Sequence, residues 1–127
     1  MAFKPEEGRI LVSYARSVIA EELGGRSAIA PEGATYEALG ATFVTLRSGT
    51  MLRGCIGTLE AHVPLRTDVA RNARAAAFED PRFHPVRESE LELLSVEVSI
   101  LSPRERIAFV DEPSAIAALR PGIDGVV

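Results

Sequence analysis

Two strand-like runs joined by a glycine turn constrain the fold of this chain most. Residues 41–47 read Ala-Thr-Phe-Val-Thr-Leu-Arg, residues 48–50 supply a Ser-Gly-Thr turn, and residues 51–59 resume a strand-like pattern. Two such runs separated by a short glycine-containing connection are typical of a β-hairpin. The sequence therefore predicts a β-hairpin at about residues 41–59.

The second arm of this hairpin contains the single cysteine, Cys55, within Leu-Arg-Gly-Cys-Ile-Gly at residues 52–57. A glycine inside a strand marks a bulge or the close approach of a backbone or ligand. A cationic neighbour such as Arg53 favours the reactive thiolate form of a cysteine. A lone cysteine in an apolar strand is also commonly a small buried hydrophobic residue. The reactive and the structural interpretations both stay open.

Helical periodicity places two long helices on either side of the hairpin. Apolar residues recur at helical spacing over residues 6–23 and again over residues 65–79. Asp80-Pro81 ends the second helix, because proline cannot continue one. The buried stripe of the second helix is rich in alanine, so we expect it to pack closely on its neighbour.

The remaining elements complete an α+β pattern. Apolar and polar residues alternate over residues 94–101, which predicts a strand with one buried face. We therefore expect an α+β fold with an antiparallel or mixed sheet, in one domain that spans residues 1–127. The weaker predictions are a loop at 25–38, a helical turn at 88–93, a short helix at 113–119 and a strand at 122–127.

Composition narrows the class of protein. Apolar residues make up 46% and charged residues 25% of the 127 residues, which is ordinary for a globular domain. Fourteen Lys and Arg side chains are spread along a chain of net charge −4, which argues against a nucleic-acid surface. No apolar run is long enough for a membrane span. One cysteine permits no internal disulfide, so we expect a reducing, cytoplasmic location.

The sequence contains no recognisable spacing of metal ligands and no cofactor motif. The two histidines, His62 and His84, stand far apart in the sequence and give no zinc-ligand spacing. We expect neither a metal nor a cofactor.

Strand alternation predicts a ligand gap beside the cysteine. Side chains two residues apart in a strand point the same way, so Arg53 and Cys55 share a face. Gly57 is next on that face and leaves it open. A bulge at Gly54 would break this alternation.

Polar residues in the following loop are candidates for catalysis or binding. Glu60 and His62 come just after the second arm, where loops commonly carry function. His62, or alternatively His84, is a candidate base for Cys55, as in Cys–His nucleophilic pairs. For each histidine, a plain surface residue is the favoured interpretation.

Two further acidic positions invite a structural interpretation. Asp80 precedes a proline at a helix end and is suited to forming the turn itself. Arg82 is a candidate partner of Asp80 or Glu79, or an anchor for an anionic ligand. Glu97 lies on the polar face of the 94–101 strand, and we expect it to be buried and bonded to an arginine or to backbone N–H groups.

Five segments, in order, resemble the AMMECR domain family. The signature hexapeptide of that family is similar to residues 52–57. The other similar segments are Phe-Val-Thr-Leu at 43–46, Ala-Ala-Ala-Phe-Glu-Asp-Pro-Arg-Phe at 75–83, Glu-Val-Ser-Ile-Leu-Ser-Pro at 97–103 and Pro-Gly-Ile-Asp-Gly-Val at 121–126.

The resemblance implies an α+β fold with a cleft beside the cysteine strand. It also implies genomic company with a Memo-type protein and a radical S-adenosylmethionine enzyme, but no established reaction. The catalytic candidates are thus Cys55 and His62. The ligand-binding candidates are Arg53, Gly54, Gly57, Glu60, Asp80 and Arg82, of which we expect Arg53, Cys55, Glu60 and Arg82 to line one concavity.

One departure from the family concerns the C-terminal region. Family members usually continue into segments with Leu-Pro-Gln-Val-Trp and Lys-Ala-Gly-Leu motifs, and this chain has no tryptophan. We therefore expect a domain shortened at its C-terminus. Its 125–127 tail would leave an unpaired sheet edge, which favours self-association, homo-oligomer formation or lower stability.

Two functions remain open at this point. The first is an accessory or catalytic component that acts with Memo-type and radical S-adenosylmethionine proteins on a small molecule or peptide. The second is a non-catalytic protein-interaction module in which the 52–57 strand is structural. Whether the protein is an enzyme depends on the reactivity of Cys55.

Overall fold

An antiparallel sheet and a layer of helices form the computed structural model, which describes residues 4–101 and 106–111. The strands lie in the order β2-β1-β4-β5, and β3 pairs with the first residues of β1. The predicted α+β class is confirmed, and every pairing is antiparallel. In chain order the elements are α1 (Pro5–Glu22), α2 (Ala34–Glu37), β1 (Leu39–Ser48), β2 (Met51–Gly57), β3 (Val63–Pro64), α3 (Leu65–Phe78), a 3-10 helix (Glu88–Leu93), β4 (Leu94–Leu101) and β5 (Arg106–Asp111).

The two long helices cover one face of the sheet, because each buries a single apolar stripe. The strands present alternate residues to the helices, and the central residues of β1 and β4 are fully buried there. The helices match the predicted ranges 6–23 and 65–79 to within one residue at each end. The main buried residues are Leu11, Val18 and Ile19 of α1, Leu65, Val69 and Ala73 of α3, Val44 and Leu46 of β1, and Val96 and Val98 of β4.

The predicted hairpin is present and contains a β-bulge. Strands β1 and β2 pair in register until Leu46 faces Gly54, after which Arg47 faces Leu52. Arg53 is the extra residue in the bulge and has no partner across the pair. A bulge redirects a side chain and breaks the alternation of faces. The expected alternation between Arg53 and Cys55 is therefore interrupted, at Arg53 rather than at Gly54.

Several elements differ from the sequence-based expectations. Helix α2 lies within the segment 25–38 that we expected to be a loop, and neither β3 nor β5 was predicted. The helical turn predicted at 88–93 is present as the 3-10 helix, and β4 has the predicted bounds. The helix expected at 113–119, the strand expected at 122–127 and its expected edge at 125–127 lie outside the described residues.

Arg16 joins α1 to three elements that follow much later in the chain. Its Nε donates to Asp111 Oδ2 at 2.7 Å, and its two terminal nitrogens donate to the carbonyl oxygens of Leu91 and Leu94. A planar guanidinium has enough donors for all of these bonds. Arg16 thereby fixes α1 to the 3-10 helix, to the start of β4 and to the end of β5.

None of the helices within the described ranges combines the length and the apolar character that crossing a membrane requires.

Candidate functional site

Asp80 and Arg82 contact the backbone of Cys55 on β2, the first strand in the order of the described sheet. The Cys55 N–H donates to Asp80 Oδ2 at 3.1 Å, and Arg82 Nη2 lies 3.5 Å from the Cys55 carbonyl oxygen. Strand β2 ends the strand order of the described residues, so its outward N–H and C=O groups have no neighbouring strand among those residues to pair with. We call Cys55, Asp80 and Arg82 the edge clamp, because they satisfy the backbone groups that an edge strand leaves open.

The two charged members of the edge clamp also bind each other. Arg82 Nε donates to Asp80 Oδ1 at 3.0 Å and Nη2 donates to Oδ2 at 2.7 Å, a bidentate pair. These bonds hold the pKa of the buried Asp80 carboxyl well below its usual range, with smaller contributions from the N–H groups of Arg82 and Cys55. The same pairing raises the pKa of Arg82. Both side chains are therefore charged across the ordinary pH range.

Arg53, in the bulge of β2, forms hydrogen bonds with the segment that follows α3. Its Nε and Nη2 bind the Glu90 carboxylate at 2.9 and 3.0 Å, and its Nη1 donates to the His84 carbonyl oxygen at 2.7 Å. The hydrogen bonds from Arg53 lower the pKa of Glu90. The guanidinium of Arg53 thus binds the 84–90 segment, and it makes no hydrogen bond to Cys55.

The thiol of Cys55 is half-buried and lies beside a hydroxyl. Its Sγ is 3.3 Å from Oγ1 of Thr45, the residue opposite it on β1. Glu60 and His62 are exposed in the loop after β2, and His84 is exposed in the loop after α3. Within residues 4–101 and 106–111, neither histidine forms a hydrogen bond to the thiol.

The glycines of the hexapeptide are explained by close packing within the chain. A Cβ on Gly54 would lie 2.1 Å from the carbonyl oxygen of Ala76 in α3. A Cβ on Gly57 would lie 2.2 Å from the ring of Phe43, its partner across the hairpin. These contacts let helix and ring approach the strand, and neither depends on a ligand.

A cavity of about 470 Å³ opens where the edge clamp meets the loop after α3. It brings together Arg53 and Arg82 from the predicted concavity, whereas Cys55 and Glu60 do not line it. Arg82 also stacks near Phe83, with its guanidinium carbon 5.3 Å from the ring centroid. We call it the arginine cavity; its lining residues are Arg53, Arg82, Phe83, His84, Arg87, Ser89 and Glu90.

A larger groove of about 640 Å³ lies between α1 and residues 27–31. It shares no lining residue with the arginine cavity, and its walls include the exposed Ile10 and Ile29. Its charged lining residues, Glu6 and Arg9, are of opposite sign. The arginine cavity has the more concentrated polar chemistry, because three guanidinium groups converge on it.

A buried polar network was missed by the sequence analysis. Asp68 Oδ2 accepts from both the N–H and the hydroxyl of Thr42, at 2.7 and 2.8 Å, and Oδ1 accepts from the Thr58 hydroxyl at 2.8 Å. Asn72 Nδ2 donates to Asp68 and to the Thr42 carbonyl oxygen. This network binds α3 to β1 and to the end of β2.

The sequence did contain a signal for this network. Asp68 and Asn72 are four residues apart and alternate with Leu65, Val69 and Ala73 along one stripe of α3. Polar residues at core positions of a helix predict buried hydrogen bonds, because an unpaired polar group there is costly.

The elements above define the class of this protein: an α+β protein with one antiparallel sheet, one helical layer and a clamped edge strand. The chain belongs to the AMMECR1 family, whose model matches residues 12–127. This confirms the resemblance seen in the sequence.

Relatives from archaea share this similarity. A protein of Saccharolobus solfataricus is 38% identical over 128 residues, covering 96% of this chain and 56% of that protein. A protein of Methanothermobacter thermautotrophicus is 38% identical over 125 residues, covering 96% of this chain and 65% of its own length.

A solved structure has the same fold. The crystal structure of an uncharacterised protein from Pyrococcus horikoshii is similar with a TM-score of 0.70 and 38% identity, covering 80% of this chain and 54% of that one. The chain thus spans less than two thirds of the length of these relatives.

Proposed function

We propose that this protein is a ligand-binding accessory component that acts with Memo-type and radical S-adenosylmethionine proteins. Its ligand is a small molecule or peptide group that binds in the arginine cavity beside the Leu-Arg-Gly-Cys-Ile-Gly strand. The partner proteins come from the resemblance to the AMMECR domain family. The observation that supports binding is the convergence of Arg53 and Arg82, from two separate motifs, on one cavity.

Binding is favoured over nucleophilic catalysis by the surroundings of the thiol. A catalytic cysteine needs a base or a cationic group that activates it. The hydrogen-bond partner of the Cys55 thiol within the described ranges is the Thr45 hydroxyl. The two nearby guanidinium groups are already paired with carboxylates, Arg53 with Glu90 and Arg82 with Asp80. The polar groups of the arginine cavity are mostly donors, which suit recognition.

The alternative is a non-catalytic protein-interaction module in which the signature strand is structural. The specific observation that favours it is the packing of the hexapeptide: Gly54 accommodates the Ala76 carbonyl group, and the Cys55 backbone is held by the edge clamp. In that case the arginine cavity contacts a partner protein rather than a small ligand.

Sedimentation velocity tests the proposal directly. The purified chain is mixed with the Memo-type and radical S-adenosylmethionine proteins of the same organism, and we expect a complex with at least one of them. Cys55→Ala should form the same complex. Arg87→Gln should also leave it intact if the cavity holds a small ligand, and should weaken it under the alternative. If the chain forms no complex with the Memo-type protein and none with the radical S-adenosylmethionine protein, the partner role is wrong.

A further inference from the structure

We propose that the arginine cavity is a site for an oxyanion, namely the phosphate or carboxylate group of a small organic molecule. This inference deepens the proposed function, and it rests on that function for the biological role of the cavity. It is carried by the charges and the unused donors that line the cavity.

The ion pairs at the cavity leave one positive charge over. The Arg82 guanidinium is matched by the Asp80 carboxylate at 2.7 Å, and the Arg53 guanidinium by the Glu90 carboxylate at 2.9 Å. Arg87 lines the same cavity and attracts the Glu90 carboxylate at longer range, but it forms no ion pair with any carboxylate of residues 4–101 or 106–111. Glu90 is the acidic lining residue, and its two oxygens are bound by Arg53. The cavity therefore keeps a net positive charge, which suits an anionic group.

Several donors remain available to such an anion. Arg82 uses Nε and Nη2 for its contacts to Asp80 and Cys55, which leaves Nη1 unengaged by any described residue. The side chain of Arg82 is 56% exposed and lines the cavity. Arg87, His84 and Ser89 add a second guanidinium, an imidazole and a hydroxyl. Guanidinium donors from two arginines suit the oxygens of a phosphate or carboxylate group.

The size and walls of the cavity indicate a small molecule. Ligand pockets for small molecules commonly have volumes of about 300–1,000 Å³, and this one measures about 470 Å³. The ring of Phe83 provides an apolar wall beside the Arg82 guanidinium. A polyanion would need a longer basic stripe, and the other arginines are spread over the chain. The ligand is thus an oxyanion attached to a compact organic body.

Titration of the isolated 127-residue chain tests this site. Inorganic phosphate and succinate are each added at constant ionic strength, with sodium chloride as the reference salt, and amide shifts are followed by NMR. We expect saturable shifts concentrated in residues 82–90. Stronger binding of phosphate identifies a phosphorylated ligand, and stronger binding of succinate identifies a carboxylate ligand.

Variants separate a site from general charge screening. Arg87→Gln should weaken binding by about tenfold, because a hydrogen bond to a charged group is lost. Arg87→Lys should restore part of the affinity, since it keeps the charge without the planar donors. Arg26→Gln is the matched control, because Arg26 is exposed and does not line the cavity. The side chain of Arg87 is exposed as well, so we expect all three variants to keep the wild-type fold.

Two results would overturn the anion site. One is the absence of saturable shifts with either anion in the folded chain. The other is an equal loss of affinity in Arg87→Gln and Arg26→Gln. Because the titration uses the isolated chain and the sedimentation experiment uses no added anion, failure of the anion site and failure of the partner role are told apart.

Discussion

Asp80 Oδ2 accepts a hydrogen bond from the backbone N–H of Cys55 across 25 residues of sequence. The contact connects the Asp-Pro-Arg turn to the hexapeptide through the main chain of the cysteine and not through its thiol. The two signature segments therefore support each other whatever side chain occupies position 55. This separates the structural role of the motif from any chemistry of the sulfur.

Removal of the Asp80 carboxylate should destabilise the fold. Asp80→Ala leaves the Cys55 N–H and the Arg82 guanidinium without their acceptor, and we expect the melting temperature to fall by several degrees. Glu79→Gln is the matched control, since Glu79 is an exposed neighbour. Thermal unfolding followed by circular dichroism measures both. Equal melting temperatures for wild type and Asp80→Ala would contradict the role of the edge clamp.

Acid should weaken the protein through the same carboxylate. The pKa of Asp80 in the folded chain lies below its ordinary value of 3.8, chiefly because of the hydrogen bonds from Arg82. A lowered folded pKa stabilises the fold above the ordinary value, and this stabilisation is lost as the pH falls towards the folded pKa. We therefore expect the free energy of unfolding to decline below about pH 4.

Urea unfolding between pH 7 and pH 2 measures this decline. Asp80→Asn should show a shallower decline than wild type, because the amide does not titrate. Glu79→Gln should keep the wild-type slope. If Asp80→Asn and wild type lose stability in parallel, the acid sensitivity arises elsewhere.

The two glycines of the hexapeptide should differ in their tolerance of alanine. At Gly54 a methyl group meets the Ala76 carbonyl oxygen, so helix and strand must separate, and we expect a loss of about 1–3 kcal/mol. At Gly57 the methyl group meets the Phe43 ring, which can rotate, and the loss should be smaller. Urea unfolding of Gly54→Ala and Gly57→Ala measures the two losses of unfolding free energy. The reverse order would contradict the packing described for this strand.

Loss of the buried carboxylate of α3 should be costly. Asp68→Ala removes the acceptor of the Thr42 N–H, a backbone group that cannot turn towards another partner, and we expect a loss of roughly 3 kcal/mol. Thr67→Ala, at an exposed position of the same helix, should change stability little. Chemical denaturation gives both values. A near-neutral Asp68→Ala would mean that water replaces the carboxylate.

Elements with a regular pattern were predictable from the sequence. Each of these elements has its own apolar periodicity and its own boundary residues, such as the glycine turn at 49 and the proline at 81. They are the hairpin, α1, α3 and β4. Strand β5 was missed because its pairing with β4 and the packing of Phe109 against Gly8 are set by distant residues. Local patterns carry no information about such partners.

The candidate site was predictable only in part. The resemblance pointed to Arg53 and Arg82, and both line the arginine cavity. Strand alternation misplaced Arg53 relative to Cys55, because a bulge shifts the register at that residue. Arg87 and Ser89 were missed, since charged and hydroxyl residues in a loop look like ordinary surface residues until the loop folds back on β2.

The bonds made by Arg16 also order events in time during synthesis. Its carboxylate partner, Asp111, is 95 residues further along the chain. A ribosome adds about 5–20 residues per second. Several seconds therefore pass between the synthesis of Arg16 and that of Asp111. Before Asp111 is made, α1 can pack against α3, and Arg16 can bind the carbonyl oxygens of Leu91 and Leu94 once they exist, but its carboxylate partner is absent. The ion pair that joins α1 to β5 can thus form only after the last strand of the described residues has been made.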